Sequence, residues 1–457
     1  MELKVKAVYD PKFTPIVKYL EQFEKDVAAS AHKTIALSVE RNKGYVHTLN
    51  IDVFEDGVDD ERNNAVAERI LKTFLWIYGG WKLVISGSKP IYEYIKQTYS
   101  LEGARAFDND FMSGVYGREF TVEYRENAAD APATNESSSP VGRHLNGCRI
   151  GFDAGGSDVK VSAVVDGESI YSEEIVWLPK KQTNPQYHFD GIRNAMLKAA
   201  SKMPRVDGIG VSSAGVYIDN RAMVASLFMS LSPEDKKKCQ NIYLDVAKSI
   251  GDMPIEVAND GDVTALAGAM DLNADSVLGI AMGTSEAGGY VDENGNITGW
   301  LNELAFAPVD MNPEALVDDW SGDVGCGVKY FSQDAVIKLC PAAGIELEDS
   351  LTLAEKLKYV QNLHAQGDKR TEGIYQSIGV YFGYQIAWYA RFYNIKHVLI
   401  MGRVTSGEGG KTLLATAQQV LEAEYPKLAK QIRLHIPDES SRRVGQSVAA
   451  ASLPVIK

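Results

Sequence analysis

Apolar positions recur along this chain in short blocks, some at period two and some at helical spacing, and the blocks fall into three stretches. In the first, residues 3–9, 33–40, 45–53 and 82–85 read as strands, the third with clean alternation. Residues 13–29, 62–77 and 91–99 carry apolar side chains at helical spacing, so an α/β domain over 1–125 is expected. The second stretch, 126–147, is rich in Ala, Asn, Ser and Pro and nearly free of large apolar residues. Such a composition buries too little surface to offset chain entropy, and it reads as a flexible linker. From Cys148 onward the pattern is strand-rich and then alternating. Residues 148–154, 161–165 and 168–176 predict an antiparallel meander, followed by a helix at 189–202 and strands at 208–211 and 255–257, with a helix ending at 244–250 between them. A second strand pair at 277–282 and 288–291 starts the same sequence of elements again. Two similar lobes are expected, 148–258 together with a C-terminal helix at 445–457, and 259–444.

The strand ends carry the candidate chemistry. Ile150-Gly151-Phe152-Asp153-Ala154-Gly155-Gly156-Ser157-Asp158-Val159-Lys160 is a strand, a carboxylate, paired glycines, a hydroxyl and a returning strand. Glycines let backbone N–H groups approach an anion, Ser157 can donate to a phosphate oxygen, and Asp153 can hold Mg²⁺ directly or through water. A plain turn explains the same residues equally well. Gly208-Ile209-Gly210-Val211-Ser212-Ser213-Ala214-Gly215 is a buried strand ending in small residues, which also reads as a tight strand exit. At Ile255-Glu256-Val257-Ala258-Asn259-Asp260 a strand stops at a carboxylate beside a helix start, where open α/β sheets place ligands. Asp260 could act as general base and Asn259 could bond neighbouring hydroxyls, although a helix cap at Asp260 or Asp262 is the plainer explanation. Gly283-Thr284-Ser285 repeats the bare-amide and hydroxyl chemistry of the first hairpin. Ile400-Met401-Gly402 ends a strand on which a nucleoside could rest. The stretch Ser406 to Thr412 looks like a phosphate loop, but Thr405 stands where that motif needs glycine.

Composition removes other classes. A net charge of −14 argues against nucleic acid, which needs clustered Lys and Arg. The four cysteines form no C-x-x-C pair, and no histidine pair has ligand spacing, so neither a disulfide framework nor a zinc knuckle is indicated. No long apolar run and no apolar leader segment are present, so no membrane association is expected and a cytoplasmic protein is the default.

Taken in order, Asp-Gly-Gly-Ser, Ser-Ala-Gly, Asn-Asp, Gly-Thr-Ser and Met-Gly resemble the motifs of the hexokinase and actin ATPase superfamily, and most closely its ROK branch of sugar kinases and repressors. Gly210 to Gly215 resembles that family's second motif, Asn259-Asp260 its N-D-A-N-A-A-A segment, Asn302-Glu303-Leu304-Ala305-Phe306 its G-E-I-G-H, and Gly325-Cys326-Gly327-Val328 its G-C-L-E. The likeness covers residues 148–457. It implies an α/β, duplicated actin-like ATPase (ribonuclease H-like) kinase fold behind an extra N-terminal α/β domain. It further implies ATP and Mg²⁺ as cofactors and phosphoryl transfer to a sugar or polyol. Asp260 would be the base, with Asn259, Glu303, Ser213 and Gly215 at the acceptor. Asp153, Gly155, Gly156, Ser157, Lys160, Gly283, Thr284, Ser285 and Gly402 would serve the nucleotide. A structural zinc belongs to the family pattern, bound by the G-E-I-G-H histidine and a cysteine cluster. Here Phe306 replaces the histidine and Cys326 alone remains of the cluster, so no zinc is expected. Val328 replaces a sugar-binding glutamate. A sensor that kept the fold and lost turnover, and a nucleotide-driven machine, are the rival readings; a homodimer is left open.

Overall fold

The computed structural model describes residues 2–136, 140–156, 158–437 and 441–456, with 441–444 described by backbone alone. Contacts divide the chain into two compact units: Met1–Ser137 with Ile280–Gly288 and Trp300–Ile436, and Ser138–Gly279 with Gly289–Gly299 and Pro437–Lys457.

The first unit opens with helix α1 (Ile16–Ala28), strands β1 (His32–Glu40) and β2 (Val46–Phe54), helix α2 (Asp60–Ile77), strand β3 (Lys82–Ser86), helices α3 (Lys89–Thr98) and α4 (Ala106–Tyr116), and strand β4 (Thr121–Arg125). Local signals set the helix ends: the Asp59 side chain accepts from the amide of Arg62, Ser88 caps α3 ahead of Pro90, and Gly117 closes α4 in the left-handed region. The sheet order is β2-β1-β3-β4, with β1 antiparallel to both neighbours and β4 parallel to β3.

Three expectations change here. Residues 3–9 form no strand: the amide of Lys4 bonds Glu424 at 2.7 Å and that of Tyr9 bonds the Ser377 hydroxyl at 3.1 Å. Side chains, not a neighbouring strand, satisfy this backbone. The expected linker is not a free tether over 126–136: Val46 and Asn135 exchange backbone hydrogen bonds at 2.9 Å, and Arg41 pairs with Glu136. Polar bonding to β2 replaces the apolar burial that composition lacks; residues 137–139 of that stretch lie outside the described residues. Finally, residues 1–125 do not stand apart as a domain. Within one unit, the amide of Ile16 bonds Val309 O at 3.0 Å, and Phe13 meets Tyr381 edge-on with centroids 4.6 Å apart.

The second unit carries β5 (Cys148–Ala154), β6 (Asp158–Val165), β7 (Glu168–Val176), β8 (Gly208–Ser213), the small hairpin β9 (Val216–Ile218) and β10 (Arg221–Val224), and β11 (Ile255–Asn259). Its main sheet runs β11-β8-β5-β6-β7, an antiparallel meander extended by two parallel strands. The C-terminal helix Ser441–Ala451 lies so close to β5 and β8 that a Cβ on Gly151 or Gly210 would fall within 2 Å of the carbonyls of Ser447 and Ala450. A further sheet, β12 (Val277–Met282), β13 (Glu286–Val291), β14 (His397–Met401) and β15 (Arg433–His435), has the order β13-β12-β14-β15. Read from its other end, the five-stranded sheet runs third-second-first-fourth-fifth in chain order, and the further sheet keeps that order without the third strand, so the expected duplication is present in shortened form. Among the described residues no helix is long and apolar enough to cross a membrane.

Candidate active site

Three parallel strands of the second unit end side by side. Register sets Asp153 of β5 beside Ser212 of β8, and one residue on sets Ser213 beside Asn259 of β11. This is the carboxyl edge of the sheet, where helix starts leave unpaired amides and ligands bind.

Asp153 Oδ1 accepts from Ser212 Oγ at 2.7 Å and from Gln446 Nε2 at 3.2 Å. Burial raises its pKa to about 6; the Ser212 bond opposes this and the negative charge of Asp260 adds to it. Two carboxylates are thus within electrostatic reach of each other. Lys160 is the cross-strand partner of Asp153 on β6.

Asp260 is the first residue of the helix Asp260–Asp271 and not its cap. Capping falls to Asn259, whose Oδ1 accepts from Gly261 N at 2.7 Å and whose Nδ2 donates to Gly215 O at 2.8 Å. Asp260 Oδ1 takes a 3.1 Å bond from its neighbour's amide, and Oδ2 has no partner among the described residues. Burial raises its pKa above the usual carboxylate value. A half-buried carboxylate with one oxygen uncommitted is equipped to accept a proton.

Other expected residues have different situations. Ser213 is fully buried, its hydroxyl committed to Tyr243 at 2.8 Å and Tyr217 at 2.6 Å, so it supports the strand end and cannot meet a substrate. Strand alternation turns Ser212 to the face that meets Asp153, a signal available in the sequence. Gly215 has φ +129°, and a Cβ there would lie 2.3 Å from Val224 O; its place in the site is the carbonyl that fixes Asn259.

The first hairpin closes through Gly155 N to Asp158 O at 2.9 Å, and Trp177 Nε1 donates to Gly155 O at 2.9 Å. Gly156 is exposed at the tip, and Ser157 lies outside the described residues. Sequence reasoning missed Lys180. Its ammonium lies 3.3 Å from the position a Cβ on Gly156 would take, it has no carboxylate partner among the described residues, and Ser230 holds its backbone carbonyl. An unpaired ammonium over bare amides is suited to a phosphate.

In the first unit, β12 and β13 are joined by a turn at Gly283-Thr284-Ser285, closed by Gly283 N to Ser285 O at 2.9 Å, with both hydroxyl residues exposed. Gly402 has φ +97°, and a Cβ there would lie 2.4 Å from Met282 O, so β14 leaves its sheet pressed against the start of that turn. Glu303 is half-buried just before the single helical turn Leu304–Phe306. Glu286 was also missed. It is 3% exposed, neither carboxylate oxygen has a hydrogen-bond partner among the described residues, and burial pushes its pKa well up. It abuts Gly327, where a Cβ would lie 2.2 Å from its Oε2.

A model of the ROK family matches residues 149–443, well over half of the 457-residue chain. The chain belongs to the ROK family. Among solved structures, a ROK hexokinase from Thermus thermophilus matches 66% of this chain and 96% of its own at 16% identity, with a TM-score of 0.52. A ROK transcriptional regulator, described as a homologue of the E. coli MLC protein, matches 68% of this chain and 79% of its own at 17% identity and a TM-score of 0.51. No curated protein matches the chain. These likenesses establish the duplicated actin-like fold and leave turnover to be argued from the site.

Proposed function

We propose that this ROK protein is a kinase that moves the γ-phosphoryl group of ATP to a hydroxyl of a sugar or related polyol. The observation that carries this reading is Asp260: a half-buried carboxylate at the carboxyl edge of the sheet, freed from capping by Asn259, with one oxygen uncommitted. An acceptor hydroxyl would give its proton to Asp260 as its oxygen bonds to the γ-phosphorus and the bond to the ADP oxygen breaks.

Phosphoryl transfer depends mainly on positioning and charge stabilisation, and the remaining residues suit that work. Gly155, Gly156 and Lys180 offer amides and a cation to a phosphate, and the family resemblance gives Gly283, Thr284 and Ser285 a nucleotide role of their own. Gly402 leaves backbone open to the nucleoside. Asp153 fits Mg²⁺ through water: three or more clustered acidic or imidazole ligands are absent among the described residues, so the nucleotide's own oxygens would complete the ion's shell. The ion would supply neutralising charge. Asn259 retains one amide hydrogen for the acceptor, and Glu303 is the other acceptor contact.

The family's regulators give the alternative, a sugar sensor without turnover, which Val328 in place of an acidic residue favours. Coupled detection of ADP with a panel of sugars and polyols separates the two. ADP release that depends on an acceptor supports the kinase, and acceptor binding with no ADP from any sugar or polyol rejects it.

A further inference from the structure

We propose that the N-terminal segment takes over the work of a structural zinc, holding the stretch 303–328 in shape with its own side chains. The residues at the expected metal positions do not fit the ion. Phe306 offers no donor atom. Cys326 is fully buried and is a single thiol where a closed structural site needs four ligands, and no group of three or more His, Cys, Asp or Glu that could hold a metal occurs among the described residues.

Both positions are instead engaged by helices α2 and α4. Phe306 packs on Trp76 with centroids 4.4 Å apart, on Phe107 at 5.4 Å and on Phe111 at 6.4 Å. Seventeen residues later Asp323, which accepts from the Cys326 thiol at 3.5 Å, receives Arg69 at 2.9 Å, Lys72 at 3.0 Å and Arg105 at 2.7 Å. Lys72 also meets Asp108, which takes Trp76 Nε1, and Arg69 and Arg105 both meet Glu68. Three cations face three carboxylates, so the cluster is balanced without a metal. Burial would raise the Asp323 carboxyl, but Lys72 and Arg69 outweigh it and hold it below its usual value. Trp76 and its neighbour Lys72, one turn apart on α2, join the aromatic and ionic contacts into one clamp. Glu303 lies three residues before Phe306 and Val328 five residues after Asp323, so the two contacts brace the stretch near both ends, and α2 and α4 act as positioning elements for Glu303.

The test uses the full-length protein and combines elemental analysis, chelator treatment and hydrogen exchange. We expect no stoichiometric zinc and a melting temperature unchanged by chelator. In Lys72→Met and in the milder Phe111→Leu, amides of 303–306 and 323–328 should lose protection together, by about tenfold in exchange rate, while those of β5 and β8 do not change. A further arm rests on the kinase reading: the same variants should raise the acceptor KM and leave the ATP KM unaltered. One zinc per chain whose removal lowers the melting temperature would overturn the proposal. So would unchanged protection of both stretches in the folded Phe111→Leu protein. Neither result depends on catalysis, so failure here is distinguishable from failure of the kinase reading.

Discussion

Asp153 couples the site to pH. Its pKa is raised from 3.8 to about 6 on folding, so folded protein holds this proton more tightly than unfolded chain. The stabilisation is complete below about pH 4 and is lost as pH rises through about 6. Melting temperatures of ligand-free protein should therefore fall between pH 4 and 7 relative to Asp153→Asn, and Mg²⁺-dependent nucleotide binding should strengthen over the same interval as the carboxylate forms. Asp260→Asn is expected to cut turnover at least about a hundredfold with ATP affinity preserved; near-normal steady-state rates would rule out its role as base. Lys180→Met should raise the ATP KM about tenfold with the acceptor KM unchanged, a loss typical of one charged hydrogen bond. The carboxylates were legible in the sequence only as members of an ordered set of motifs, because each taken alone reads as well as a turn or a helix cap. Lys180 was not, because it lies 24 positions after Gly156 and meets it only in the fold, with Trp177 three residues earlier donating to Gly155 O. Ser213 was chosen over Ser212 because the motif names the pair, while only the register says which faces Asp153.

At the scale of elements, the apolar pattern read the strands well where a partner strand lies alongside: residues 168–176 and 277–282 match β7 and β12 end to end. It failed at 3–9, where the same alternation occurs but no strand lies alongside, and at 126–136, where polar residues bond to β2 instead of remaining solvated. Composition measures what a segment can bury and is blind to what it can hydrogen-bond. The C-terminal helix shows the opposite case, a contact written in glycines. Gly151 and Gly210 let its backbone touch the sheet, and Arg149, fully buried, donates to the carbonyls of Ala451 and Pro454 beyond the helix end. Gly210→Ala would drive a methyl group into Ala450 O, and a loss of about 1–3 kcal/mol is expected in urea unfolding. A variant as stable as the parent would mean that the helix can lift away at little cost.

For the molecule as a whole, the division into units decides what can be removed. A chain beginning at Gly147 lacks Trp76, Phe107, Phe111 and every cation around Asp323, leaving a buried carboxylate uncompensated. Losing all partners of a buried charge costs about 3–5 kcal/mol or more, so the shortened chain should aggregate or lack a cooperative melt, checked by calorimetry. A sharp transition and intact ATP binding would show instead that 280–436 folds unaided. The interleaving of the two units also bears on the birth of the protein. The first unit is assembled from three pieces ending at Ile436, and the second from three ending at Lys457. A ribosome must therefore add about 300 residues after Ser137 before the first unit has all its parts, roughly 15–60 s at ordinary synthesis rates. For a little over half of that interval, until Phe306 has been added, the aromatic face of α2 and α4 waits uncovered outside the exit tunnel. Yield in cells should depend on translation speed and on chaperones more than the stability of the finished molecule suggests.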